Sequence, residues 1–334
     1  MLDKLPNAGD SFKDMDSDRP QTTPGAPTKV LVSGATGLIG THLTRVLVEA
    51  GVAVNALVRD TVRAATRLPA GVTLFAWDVL AGAPPAAAFD GVDAVVNLAG
   101  EPIADGRWSA GRRKKLRDSR IVGTRALVNE IRGLATKPRV LIAASAVGYY
   151  GDRGDEILTE ASPSGTGFLA ELARDWEEES TRASELGVRV VVLRNGAVLA
   201  GDGGFLRKVL PMFRLGAGGR VGSGAQWFPW IHMDDEIALI RHAIGTDKVS
   251  GVLNGVAPEP VTNRELTAAL GEVLSRPTIL AAPAFALRLA LGDMADEVLL
   301  SSQRVMPVHT LEYGFKFKHP LLRGALREVL KSTR

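Results

Sequence analysis

Val30-Leu31-Val32-Ser33-Gly34-Ala35-Thr36-Gly37-Leu38-Ile39-Gly40 is the stretch on which the reading of this chain turns. A short apolar run leads into three glycines spaced Gly-x-x-Gly-x-x-Gly, and Leu38 to Ala50 then repeats apolar residues at helical spacing until Gly51 stops the pattern. That is strand, glycine turn, helix. In this setting glycines give a tight turn, a backbone that a pyrophosphate can approach, and a helix packed closely on its strand. The helix N-terminus adds partial positive charge. Gly34, Thr36, Gly37, Leu38, Ile39 and Gly40 are therefore expected to hold a dinucleotide.

Outward from this unit the same alternation repeats. Val52 to Val58, Thr73 to Ala76, Ala94 to Leu98, Val140 to Ala144 and Val188 to Leu193 read as further strands, with helices over Ser109 to Gly133 and about Gly167 to Leu186. Strands apolar on both faces and separated by helices predict a parallel sheet covered on both sides, a doubly wound α/β fold. After Leu193 glycines crowd a short, loop-rich region holding Trp227 and Trp230, and from about Thr262 the pattern is mainly helical. The expected organisation is a tail over 1–28, a nucleotide-binding domain over 29–200, and a smaller, mostly helical substrate-facing domain over 201–334. Part of 230–258 is expected to return to the first domain.

Composition narrows the field. The absence of cysteine excludes disulfides, iron–sulfur clusters and thiol nucleophiles. Five histidines without ligand spacing predict no metal site. Forty basic against 37 acidic residues is too even to argue for a nucleic-acid or membrane partner, and the run Arg112 to Arg117 reads as a solvated helix face. Residues 1–28 lack the apolar core of a signal peptide and carry five aspartates, unlike a transit peptide, so a cytoplasmic location is expected.

The second strand ends Val58-Arg59-Asp60. A guanidinium at a strand tip pairs with a 2′-phosphate, whereas a carboxylate would take the ribose hydroxyls, so Arg59 favours NADP over NAD. NAD with Asp60 on the ribose is the alternative. Asp78, after the third strand, is placed either to meet the adenine edge or to close a turn.

With Gly34 to Gly40, Asn97-Leu98-Ala99-Gly100 and Ser145, the chain resembles the extended short-chain dehydrogenase/reductases, built on a Rossmann-type sheet. Gly100-Glu101-Pro102-Ile103, Arg117 to Arg120, Ser145-Ala146-Val147-Gly148-Tyr149-Tyr150-Gly151 and Gly222 to His232 resemble more closely an atypical epimerase-like family. Its C-terminal region is described as a domain of unknown function. The resemblance runs from about Lys29 to Glu328. It implies cofactor contacts from Leu98, Ala99, Gly100 and Asn195, and a hydroxyl at Ser145 on the reacting oxygen. It also leaves room for a homodimer.

The superfamily's proton relay pairs a tyrosine with a lysine four residues on. Only three tyrosines exist, and residues 153, 154 and 317, four positions after each, are Arg, Gly and Phe. On the helix that should carry the pair, Phe168 or Leu169 takes the tyrosine's place and Leu172 or Ala173 the lysine's. Arg120 stands near the position of a usual asparagine. The expectation is an NADP-dependent oxidoreductase or epimerase-like enzyme acting on an unidentified small polar carbonyl or carbohydrate-like substrate. Ser145 with Tyr149 or Tyr150 would manage the proton, and Glu101, Gln226, Trp227 and His232 would face the substrate. The alternative is a catalytically weak cofactor-binding regulator, in keeping with an association of some relatives with division control.

Overall fold

The computed structural model describes residues 27–331. Apart from its last two residues, the expected tail over 1–28 lies outside the described residues. Seven strands form one parallel sheet: β1 (Lys29–Ser33), β2 (Ala53–Val58), β3 (Val72–Ala76), β4 (Ala94–Asn97), β5 (Val140–Ala146), β6 (Arg189–Asn195) and β7 (Gly251–Gly255). Their spatial order is β7-β6-β5-β4-β1-β2-β3. The chain thus builds outward from β1 in one direction, returns, and builds outward from β4 in the other. Val30 pairs with Val54 on one side and Ala94 on the other, which fixes the central register. The doubly wound, Rossmann-type reading holds.

Alternation along the strands divides the core. Val30, Val32, Val96 and Ile142 point to the face covered by Leu43 and Leu47 of α1 (Leu38–Glu49) and by a later helix over Met233–Gly245. Leu31, Val95, Leu141 and Val192 point to the opposite face, against Leu127, Val128 and Ile131 of α2 (Ala110–Gly133). Burying about a dozen such side chains, each worth roughly 1.5–3 kcal/mol, is what keeps the strands apolar on both sides.

The helix expected over Gly167 to Leu186 is α3 (Phe168–Thr181), followed by a 3₁₀ turn to Leu186 and Gly187 in the left-handed region (φ 77°). Inside the glycine-rich stretch lies a helix that composition concealed, α4 (Gly204–Arg214). Leu206, Leu210 and Phe213 recur at i, i+4 and i+7 and bury one face, although Pro211 interrupts the turn. Met233–Gly245, now α5, packs on α1 beside the sheet, and β7 closes the sheet after it. With α6 (Asn263–Leu274) and α7 (Leu322–Lys331), α4 encloses a separate apolar core around Leu199 and Trp230. No helix among the described residues is long and apolar enough to cross a membrane.

Candidate functional site

The turn after β1 is built for close approach. Gly34 has φ +69°, and a Cβ there would stand 2.7 Å from the Leu98 carbonyl carbon and oxygen and 2.8 Å from Ala99 N. Gly40 is packed as tightly, with a Cβ placed 2.7 Å from the Ala35 Cα. Backbone on both sides leaves nothing that could yield, so any side chain would push apart the loops after β1 and β4. The strand ends are held together below: Ser33 Oγ donates to Asn97 Oδ1 (2.6 Å), and Asn97 Nδ2 donates to Thr124 Oγ1 (3.0 Å). Gly37 caps α1 without any side chain, so the first-turn N–H groups stay open, with Thr36, Leu38 and Ile39 only half-buried around them.

At the tip of β2, Arg59 is 74% exposed and donates from Nη1 to Glu101 Oε1 (3.3 Å). Glu101 also accepts from Arg112 Nη1 (3.1 Å), so one carboxylate sits between two guanidinium groups at the rim of the cradle. Beneath it the Arg120 guanidinium donates to the carbonyls of Glu101 (3.0 Å) and Leu116 (3.2 Å) and lies over the Trp176 ring. Burial lowers its pKa to about 10, so it stays charged at neutral pH. Asp60 caps the short helix over Thr61–Ala65 by accepting from Arg63 N. Asp78 accepts from Leu80 N (3.0 Å) and so closes its own turn. Three more members of the basic run are engaged: Arg113 pairs with Asp293, Lys114 with Asp118 and Arg117 with Asp175, while Lys115 is exposed.

At the C-terminal end of β5 and in the turn after it, two of the three expected catalytic hydroxyls point inward. Ser145 is 4% exposed and donates from Oγ to Glu177 Oε1 (2.6 Å), while its neighbour Ala146 takes the open side of the strand. Glu177 also receives both edges of Arg194, Nε to Oε1 (2.9 Å) and Nη2 to Oε2 (2.8 Å), in a buried bidentate pair. Burial alone would depress the Arg194 pKa, but the Glu177 carboxylate more than offsets it and raises the pKa above the ordinary value. Arg194 Nη1 then donates to Tyr150 Oη (3.1 Å), which donates to Asn254 Oδ1 (2.7 Å). Burial pushes the Tyr150 pKa up to about 12, in spite of the adjacent guanidinium. Tyr149 differs. Its half-buried ring lies under the Arg194 guanidinium, with Cζ 3.4 Å from the ring centroid, and its hydroxyl has no hydrogen-bond partner among the described residues.

The positions of the usual tyrosine and lysine are apolar in space as well as in sequence. Phe168 stacks edge-on against Trp108, Leu169 packs on Gly148, and Leu172 and Ala173 are buried. The N-terminus of α3 is closed from the far end of the chain: Glu297 accepts from Phe168 N (3.1 Å) and Leu169 N (2.7 Å). Between them lies a cleft of about 230 Å³, with Gly148 and Leu169 on one wall and Arg288, Glu297, Ser301 and Gln303 on the other.

Other expected residues serve as ties. Gln226 donates to the carbonyls of Val221 (3.1 Å) and Leu299 (3.0 Å), and Trp227 donates to Asp155 (2.8 Å) with Arg304 over its ring. Asn195 turns to the opposite face of β6, where its carboxamide lies beside Glu236 without a hydrogen bond of normal geometry. His232 caps α5 by accepting from Asp234 N (3.0 Å) and stacks on His319. His232, Asp234 and His319 bring one donor atom each within 4.8 Å of one another. The accepting Nδ1 leaves the proton on His232 Nε2, and Lys318 pairs with Asp234 (2.8 Å), so both side chains are engaged in capping the start of α5. Glu177 and Glu297 escaped sequence reasoning. Glu177 left a signal, a carboxylate on the apolar stripe of α3, whereas Glu297 left none.

Known proteins share this architecture. Residues 30–254 match the NAD dependent epimerase/dehydratase family, and residues 282–329 match a domain of unknown function. An epimerase family protein of Mycobacterium tuberculosis is 43% identical over 299 residues, covering 89% of this chain and 96% of the relative. A chloroplastic homologue from Arabidopsis thaliana is 42% identical over 308 residues, 90% of this chain and 86% of the relative. The crystal structure of human epimerase family protein SDR39U1 with NADPH superposes with a TM-score of 0.80 at 35% identity, covering 91% of this chain and 99% of that one.

Proposed function

Because this chain belongs to the NAD dependent epimerase/dehydratase family, we propose that it binds NADP and acts as an oxidoreductase or epimerase-like enzyme on a small polar carbonyl or carbohydrate-like substrate. The observation that carries the reading is the Gly34–Gly40 cradle, where backbone fills the places side chains would take and the α1 N-terminus stays open. Its first-turn N–H groups bind a pyrophosphate, and Leu98, Ala99 and Gly100 wall the groove. Arg59 takes the 2′-phosphate. Its exposed pair with Glu101 is worth little in water, so a doubly charged phosphate displaces the carboxylate readily. The NADPH bound by the human relative supports the same choice.

A bound nicotinamide supplies the hydride; the chain supplies the proton. Tyr149 is the group suited to that role, since its hydroxyl is uncommitted and its ring lies directly under the Arg194 guanidinium at the end of β5. Ser145 and Tyr150 hold Arg194 and Glu177 in place, and the cleft beside Leu169 receives the substrate. A second reading, a cofactor-binding protein without turnover, draws support from the apolar side chains at the tyrosine and lysine positions.

Thermal stability measured with NADPH and NADH tests the cofactor claim, because a ligand of the native state must raise it. NADPH is expected to stabilise more than NADH, and Arg59→Glu to abolish that preference. Equal loss for both nucleotides would remove the 2′-phosphate argument. Nicotinamide absorbance over a panel of aldehydes, ketones and nucleotide sugars separates the two readings: retained NADPH binding with no turnover on any of them selects the second.

A further inference from the structure

The even charge of the whole chain hides a local imbalance. Residues 203–222 and 275–291 contain six of the 40 basic residues and none of the 37 acidic ones. The fold brings these two segments together: Leu280, Ala281 and Ala282 pair with Gly219, Arg220 and Val221, and Arg276 Nε donates to the Arg214 carbonyl (2.8 Å). Lys208 is balanced by Asp105 and Arg288 by Asp296, while Arg207, Arg214, Arg220 and Arg276 form no ion pair among the described residues.

The same surface carries unusual apolar exposure. The helix Ala284–Leu291 reads Ala-Phe-Ala-Leu-Arg-Leu-Ala-Leu, a composition suited to a buried helix, yet none of its residues is buried. Phe285 is 72% and Leu289 78% exposed; on the paired segments Ile279 (87%) and Leu215 (80%) are exposed as well, with Leu280 and Met212 half in water. Such values describe side chains that project from the surface and do not line a groove.

We propose that this face is a peripheral membrane-docking surface for anionic lipid. Projecting apolar side chains need a partner that can flow around them, and the acyl region just below the headgroups does so. Four unbalanced arginines on the same paired segments need negative charge, which anionic headgroups supply at about a factor of five in affinity per basic residue. A second copy of the chain fits poorly, because the same face would set arginine against arginine. The helix is about 12 Å long, enough to lie in the interface and far too short to cross it.

Sedimentation of the full chain with vesicles tests this. Binding to mixed phosphatidylcholine and phosphatidylglycerol vesicles is expected, at least tenfold stronger than to pure phosphatidylcholine and weakened by salt. Arg214→Gln and Arg276→Gln should each lower partitioning about fivefold. Phe285→Ser with Leu289→Ser should abolish it without lowering the thermal midpoint, as both residues are exposed. Phe285→Trp should gain fluorescence quenching by brominated phospholipid beyond that of the native tryptophans. No sedimentation with anionic vesicles, equal binding to both vesicle types, or a solution dimer that the double serine variant dissociates would each overturn the proposal.

Discussion

The cofactor cradle and the corner at the end of β5 are neighbours built on opposite plans. In the cradle, side chains are withheld: Gly34 and Gly40 bring backbone against backbone, and the helix behind them begins without a cap. At the β5 corner polar side chains are present in number but spent on one another, with Ser145, Glu177, Arg194, Tyr150 and Asn254 linked in a single buried chain. The first plan leaves donors free for a ligand. The second holds a charged pair inside the protein, where its loss is costly. Open donors and committed polar side chains thus belong to different residues of the same sheet edge.

The largest expected effect breaks the corner. Glu177→Ala strands the buried Arg194 cation and should cost about 3–5 kcal/mol in unfolding free energy, read by urea denaturation. NADPH affinity of the folded fraction should hardly move. A loss below about 1 kcal/mol would mean that water reaches Arg194 and the corner is not dry. The cradle should respond the other way round. Gly40→Ala drives a methyl into backbone that cannot retreat, at about 1–3 kcal/mol, and should also erase the thermal stabilisation by NADPH. A variant that keeps full NADPH stabilisation would show that the α1 N-terminus is not the phosphate site.

A third effect lies across β6 from the corner. Glu236 is fully buried, neither oxygen has a hydrogen-bond partner among the described residues, and burial raises its pKa to about 8 in spite of Asn195. An acid whose folded pKa is raised keeps its proton in the native state while the unfolded chain gives it up. Stability is therefore intact below about pH 4.5, falls as pH climbs toward 8, and levels off above that. The slope should approach about 1.4 kcal/mol per pH unit in that window. Glu236→Gln, which mimics the protonated form, should flatten it. Parallel stability curves for the two proteins between pH 5 and 8 would sink the assignment.

The sheet was legible because the strands are apolar on both faces and the helices keep their period over several turns; β1 to β6 lie within two or three residues of where periodicity puts them. The C-terminal half was less so. Glycine content masked α4, although Leu206, Leu210 and Phe213 carry its period. At the site, local chemistry was readable and facing was not. The Gly-x-x-Gly-x-x-Gly turn names its own geometry, but Ser145 and Ala146 differ only in which side of β5 they point to, and a shift of one residue exchanges their roles. Pairings such as Asn254 to Tyr150, 104 residues apart, leave no trace in either neighbourhood.

The smallest effect on stability bears most directly on function. Tyr149 and Tyr150 are adjacent, touch edge to face (centroids 5.4 Å apart) and both lie against Arg194, yet only Tyr150 has its hydroxyl in the network. Tyr150→Phe deprives Arg194 Nη1 and Asn254 Oδ1 of a buried partner and should cost about 1–3 kcal/mol. Tyr149→Phe removes no hydrogen bond and keeps the ring under the guanidinium, so stability should change by less than about 0.5 kcal/mol and NADPH binding not at all. If Tyr149 supplies the proton, its phenylalanine variant should nevertheless lose turnover on any substrate the wild type accepts, by about 10²-fold or more. Turnover that survives Tyr149→Phe but fails in Tyr150→Phe in proportion to lost stability would move the proton donor elsewhere and leave both tyrosines as parts of the floor.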